Sequence, residues 1–207
     1  MSNKSIFTEE DLAAFKELGN VGAGHAAIAL TKLFSREVDM SIPFVRVGSA
    51  EEILKMLEMT PNELVGYELV DVDDPVKYRL SVVFRTSVII QLLKLLSTTT
   101  KESIDNKDDM TEMQKSLIQE IGSTIILRYI AAINKMMKVE SLPEDAPTFY
   151  VGEAHEALEK ISYSENENEI ILIQLDLFTD ENKFEAMMYI QPHPDSLDAY
   201  RKAFHIS

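Results

Sequence analysis

The chain has 207 residues, with 20 Lys and Arg against 35 Asp and Glu, a formal net charge of −15 at pH 7. A field of that sign repels phosphate backbones and anionic lipid, which counts against nucleic-acid and membrane-surface binding. Cysteine is absent, so disulfides, thiolate metal sites and cysteine nucleophiles are excluded, and the length suits one domain with a sizeable core or two small halves. The opening MSNKSIFTEEDLAAF has no basic stretch followed by an apolar one. The longest apolar stretch, Ser87 to Leu96, is too short to span a bilayer, so a cytoplasmic protein is expected.

In chain order, Thr8 to Phe34 reads as a long helix. Thr8 with Asp11 approximates a capping box, and Leu12, Phe15, Leu18, Ala26, Leu30 and Leu33 keep helical spacing. Val38 to Val47 alternates and contains Pro43, which suits an edge or bulged strand. Glu51 to Leu57 is a short helix closed by Thr60-Pro61-Asn62. Leu64 to Val72 and Tyr78 to Arg85 are strands joined at Asp73-Asp74-Pro75, and Thr86 caps a helix running to Leu96. Thr98 to Asp109 is polar and aperiodic, a linker by composition.

The same order of elements then returns. Thr111 to Met137 reads as a long helix, Lys138 to Val151 as an extended stretch with two prolines, and Ala154 to Ile161 as a short helix. Ile170 to Phe178 and Lys183 to Ile190 read as strands joined by Thr179 to Asn182, and Ser196 to Phe204 as a closing helix. A shift of 103 residues lays Thr8 on Thr111, Glu17 on Glu120, Gly19 on Gly122 and Lys32 on Lys135. One inserted residue then brings Pro43 onto Pro147 and Gly48 onto Gly152. The expected fold class is therefore α+β, an internal duplication of an α-β-x-β-β unit. Its halves are about residues 1–98 and 110–207, with a linker at about 99–109, sharing one core.

The segment ELGNVGAGHAA, Glu17 to Ala27, is the most unusual in the chain. Gly19, Gly22, Gly24 and Asn20 are poor helix-interior residues, glycine by roughly 0.8–1.0 kcal/mol relative to alanine. Small residues there allow close approach of another backbone, either the twin helix or a partner protein. Glu17 and Asn20, three apart, project from one helix face. Asn can orient a water through its carbonyl and amide without acting as a strong base. Phosphoryl transfer asks mainly for such positioning plus charge stabilisation, so a lone amide can serve a phosphorylated partner that brings its own metal and cation. A polar stripe on an exposed helix is the plain alternative. Gly22 to Ala27 also fits G-x-G-x-x-A, but that motif needs a strand before its first glycine, and here a capped helix precedes it. His25, His155, His193 and His205 have no metal spacing, and no metal site is expected. The acidic runs at Asp105 to Asp109 and Glu165 to Glu169 read as solvated loops.

The run from Glu17 to Ala27 resembles the CheC family of chemotaxis phosphatases, related to CheX and to the switch protein FliY. The family motif is Asp or Ser, three residues, Glu, two residues, Asn, twenty-two residues, Pro, and Glu17, Asn20 and Pro43 meet its full spacing. The resemblance covers essentially the whole chain and implies two long helices side by side on a β-sheet. It implies dephosphorylation of the phospho-aspartate of the response regulator CheY. Asn20 would place an in-line water, Glu17 would anchor the helix to the regulator, and Gly22, Gly24 and Pro43 would support the motif. Mg²⁺ would belong to the regulator, leaving this chain without a cofactor of its own. Ala13 stands where the family has Asp or Ser. In the second copy Ser116 and Glu120 match, but Ser123 replaces Asn, so Glu120 and Ser123 are expected to form a degenerate second site. Gly152, beside Glu153, stands where members often carry an Asp that meets the deamidase CheD, which counts against CheD as a partner. The alternative function is a non-catalytic CheY- or CheD-binding adaptor or a switch-associated component.

Overall fold

The computed structural model describes residues 5, 7–98, 102–162, 169–180 and 182–203. Residues 99–101 of the linker and 165–168 of the second acidic run, with Glu181, Phe204 and His205, lie outside the described residues.

Helix α1 (Glu9–Phe34) opens on the expected capping box: Asp11 N donates to Thr8 Oγ1 at 3.1 Å and Thr8 N to Asp11 Oδ2 at 2.8 Å. The extended stretch that follows splits in two, β1 (Asp39–Ser41) and β2 (Val45–Gly48), around Pro43, which has no N–H for a ladder. After α2 (Ala50–Met56), the strands β3 (Leu64–Val72) and β4 (Tyr78–Arg85) pair in register from Val65 with Arg85 to Val72 with Tyr78. Strand β4 runs directly into α3 (Thr86–Leu95), so the N-cap is Arg85 rather than Thr86 and makes no side-chain capping bond. In the intervening linker sequence Ile104 is buried, as is Met110 just beyond it. Asp109 Oδ2 accepts from the N–H groups of Asp105 and Asn106 at 2.8 Å each.

Helix α4 (Glu112–Met137) starts on a second capping box, Thr111 with Gln114. The stretch after it forms a strand only at β5 (Thr148–Glu153), followed by α5 (Ala154–Ile161), β6 (Ile170–Phe178) and β7 (Lys183–Pro192). The described chain closes with a 3₁₀ turn, Pro194–Ser196, before α6 (Leu197–Ala203), in place of one continuous helix. His193 caps that turn, accepting from Asp195 N at 3.2 Å.

The seven strands form one antiparallel sheet in the order β1-β6-β7-β4-β3-β5, with β2 also on β6. Strand β2 therefore pairs far along the chain, Val45 with Ile173, while β5 returns to β3, Tyr150 with Tyr67. Each long-range exchange ties the early part of the chain to the late part.

The strands alternate between two cores. Residues such as Tyr78, Leu80, Val82, Ile171, Ile173, Met188 and Ile190 face α1 and α4, whereas Val65, Tyr67, Leu172, Met187 and Tyr189 face α2 and α5. Fully buried side chains such as Leu18, Leu30 and Ile133 stabilise the first core by roughly 2 kcal/mol each. By length and composition α4 could cross a membrane, but Ile118, Ile121, Ile125, Ile126, Ile130 and Ile133 are buried, as in the central helix of a packed domain. Helix α6 is fastened to the start of α1 by Arg201, which donates to Asp11 at 3.2 and 3.1 Å.

Candidate functional site

On α1 the sequence alternates between residues the fold uses and residues it leaves outward. Phe15, Leu18, Gly19, Gly22, Ala23 and Ala26 are buried, while Glu17, Asn20, Gly24 and Ile28 are exposed and follow one another along the same helix face. Among the described residues neither Glu17 nor Asn20 has a side-chain hydrogen-bonding or ionic partner. The carboxylate and the amide thus stand side by side on a packed, capped helix, pointing away from the core.

The three glycines around them serve different purposes. A Cβ on Gly19 would come within 2.6 Å of Ile42 Cδ1 and 3.4 Å of Ile173 Cγ2. A Cβ on Gly22 would lie 2.9 Å from ring carbons of Tyr129 on α4. Gly22 answers to the Tyr129 ring, whereas at Gly19 the nearest atom is the tip of the Ile42 side chain, which can turn aside. At Gly24 a Cβ would meet nothing within 4 Å, so its smallness answers to no internal neighbour. Pro43, exposed between β1 and β2, joins the site through the preceding Ile42, which is buried against Gly19.

Helices α1 and α4 pack in the antiparallel sense. Tyr129 meets Gly19 and Gly22, while a shallow groove brings His25, Ile28 and Lys32 beside Glu120, Thr124 and Arg128. Glu17 with Asn20 and Glu120 with Ser123 therefore lie towards opposite ends of the helix pair, as two separate places.

The second place differs in detail. Glu120 is exposed in the groove, but Ser123 is only half-exposed and donates inward to Glu68 Oε2 at 2.8 Å. Pro147 is buried, and its carbonyl accepts from Gln119 Nε2 at 2.9 Å. Glu68 is the residue that sequence reasoning misses. Its signal is a carboxyl within the apolar alternation of β3, but its neighbour on α4 is more than fifty residues away. Burial pushes the Glu68 carboxyl up to about 8, with the Ser123 hydrogen bond acting in the opposite direction.

Gly152 is buried in β5 opposite Val65, and a Cβ there would stand 3.2 Å from both Tyr67 Cε1 and Glu156 Oε2. Of the histidines, His155 Nδ1 lies 3.0 Å from the Pro61 carbonyl oxygen and His25 lines the interhelical groove. Among the described residues no group of three or more His, Cys, Asp or Glu is arranged to hold a metal ion.

No family model matches the chain. The chain is 25% identical over 208 residues to the CheY-P phosphatase CheC of Bacillus subtilis (strain 168), covering 94% of this chain and 95% of that protein. In fold it is similar to Thermotoga maritima FliY, with a TM-score of 0.75 at 13% identity, over 97% of this chain and 98% of that one. A CheC-like superfamily protein from Shewanella superposes with a TM-score of 0.51 at 13% identity, over 84% and 97% of the two chains. A chain of the FliG-FliM complex from H. pylori gives a TM-score of 0.66 at 13% identity, over 95% and 100%.

Proposed function

Because the chain belongs to the CheC, CheX and FliY family, we propose that it dephosphorylates the phospho-aspartate of a CheY-type response regulator through Asn20 and Glu17. The observation that carries this reading is the pair itself: an amide and a carboxylate on one exposed face of α1, free of partners among the described residues. The Bacillus subtilis relative is a CheY-P phosphatase, and it supports the same substrate for this chain.

In this reading α1 enters the regulator's phosphorylation site with Gly24 facing the partner's backbone. The Asn20 amide orients a water in line with the acyl phosphate, its carbonyl oxygen accepting a hydrogen bond from that water. The water oxygen bonds to phosphorus as the bond from phosphorus to the aspartyl oxygen breaks. The aspartate leaves as a carboxylate, and the water's protons go with its oxygen to the released inorganic phosphate, from which one exchanges with solvent. Mg²⁺ and a cation come from the regulator, and Glu17 pairs with that cation to fix the helix. The acidic character of this chain suits such a division of labour, because its own net field would not gather phosphate.

The proposed arrangement is one duplicated domain, about 1–98 and 110–207, with one working site in its first half, and its proposed address is the cytoplasm. CheD docking is not part of the proposal, since Gly152 offers no carboxylate and is enclosed by Tyr67 and Glu156. A switch-associated or adaptor role is the second reading, suggested by the likeness to FliY and FliM, which at 13% identity concerns the fold alone. Phosphorylated regulator mixed with this protein and Mg²⁺ separates the two: faster loss of phosphate supports catalysis, and binding at an unchanged rate supports the adaptor.

A further inference from the structure

Glu68 lies in the middle of β3 on the face that meets α4, with 0% of its surface exposed. The other residues of that face include Gly66, Val70 and Val72, so a carboxyl is a costly occupant unless it is neutral or hydrogen-bonded. Its Oε2 accepts from Ser123, and its Oε1 is buried with no hydrogen-bond partner among the described residues. That free oxygen fills the notch of Gly122, where a Cβ would collide with it. Among the described residues the neighbours of the carboxyl include Gly122 and Ser123 from α4, with Val82 of β4 and Phe149 of β5 opposite Glu68 in register, and no charged group contributes to its shift.

The corresponding place under α1 holds no carboxyl: Gly19, which matches Gly122, closes on Ile42 and Ile173, and the Tyr129 hydroxyl beneath it is engaged by the Gly19 carbonyl oxygen, leaving Asn20 without a side-chain partner among the described residues. The two motif helices therefore differ beneath the surface as well as in the motif residue itself.

We propose that Glu68 decides which motif helix is available to a phosphorylated partner: it clasps the residue at 123 towards the sheet, while Asn20, on the outward face of α1, stays free. This rests on the phosphatase reading for its catalytic consequence, whereas the clasp is a property of the fold alone. Ser123→Asn by itself is then insufficient to revive the second helix, because the new amide still meets the buried carboxyl. The raised Glu68 carboxyl is consistent with a neutral acid that can both accept from and donate to its partner.

The test is made in full-length Asn20→Ala protein, so that only the second helix can act. Regulator dephosphorylation is compared for Ser123→Asn alone, with Glu68→Gln and with Glu68→Ile. The first two stay at the Asn20→Ala background, since a glutamine keeps the hydrogen bond. The Glu68→Ile combination rises roughly tenfold above it, a fraction of the ~100-fold or more that one well-placed dipole contributes to a transition state. Equal rates for all three combinations, high or low, overturn the assignment. If unsubstituted protein does not accelerate dephosphorylation, the phosphatase reading fails by itself. The clasp is then read from urea unfolding as a double-mutant cycle: Ser123→Ala destabilising the protein with Glu68 but not the Glu68→Ile protein supports it, and an equal cost in both backgrounds overturns it.

Discussion

The Tyr129 hydroxyl of α4 donates to the backbone carbonyl oxygen of Gly19 on α1 at 3.0 Å, and its ring occupies the space where a Gly22 side chain would begin. This contact joins the two long helices directly beneath Glu17 and Asn20. It explains Gly22, a helix-weakening residue, as clearance for that aromatic ring.

Gly22→Ala should therefore destabilise the protein although alanine is the better helix former. Overpacking against the buried Tyr129 ring costs about 1–3 kcal/mol, more than the gain of up to about 1 kcal/mol in helix propensity. Tyr129→Phe removes only the hydrogen bond and should cost about 1 kcal/mol. Urea unfolding measures both.

Gly24→Ala separates fold from function in the opposite direction. With nothing within 4 Å of the new Cβ, the fold accepts it and gains up to about 1 kcal/mol of helix stability. If the partner's backbone lies against this position, the same variant binds phosphorylated regulator more weakly. A raised unfolding midpoint together with reduced affinity is the expected pair of results.

Stability should fall on both sides of a mildly acidic optimum. The Glu68 carboxyl is raised from 4.5 to about 8, so the native state holds its proton across that window and stability falls as pH rises through it. Asp11 acts with the opposite sign. Burial tends to raise it, but hydrogen bonds from Arg201 and Thr8 prevail and hold it below the usual carboxylate range. Its contribution is present above the ordinary carboxylate pKa and is lost as pH falls through the lowered one. Glu68→Gln should flatten the descent between pH 4.5 and about 8, and Arg201→Ala should weaken the Asp11 contribution that is lost in acid. Unfolding curves across the pH range check both.

Ser123→Ala should leave regulator dephosphorylation little changed but lower stability by about 1–3 kcal/mol, because it removes the hydroxyl that satisfies a buried carboxyl. Measuring rate and urea midpoint on the same preparation tests the two halves of that statement together.

Much of this architecture is written in local chemistry. The Thr8 and Asp11 capping box, the apolar period of α1 and the bounds of β3 and β4 follow from residues close in sequence. The division of β1 from β2 follows from Pro43, though an alternating pattern alone reads through it. The exchange of β2 onto β6 and β5 onto β3 is not legible, because alternation marks which face of a strand is apolar and not which strand lies beside it. Glu17 and Asn20 stand out by type and spacing. Glu68 stands out only as a carboxyl in an apolar strand, and its meaning comes from Ser123, 55 residues away.

The most direct test of the central claim follows phosphate loss from a phosphorylated CheY-type regulator in Mg²⁺, with unsubstituted protein and with Asn20→Ala. The unsubstituted protein should accelerate the loss, and Asn20→Ala, at an exposed position that leaves folding intact, should abolish that acceleration by removing the amide that orients the water. Equal acceleration by both proteins would contradict the assignment of Asn20.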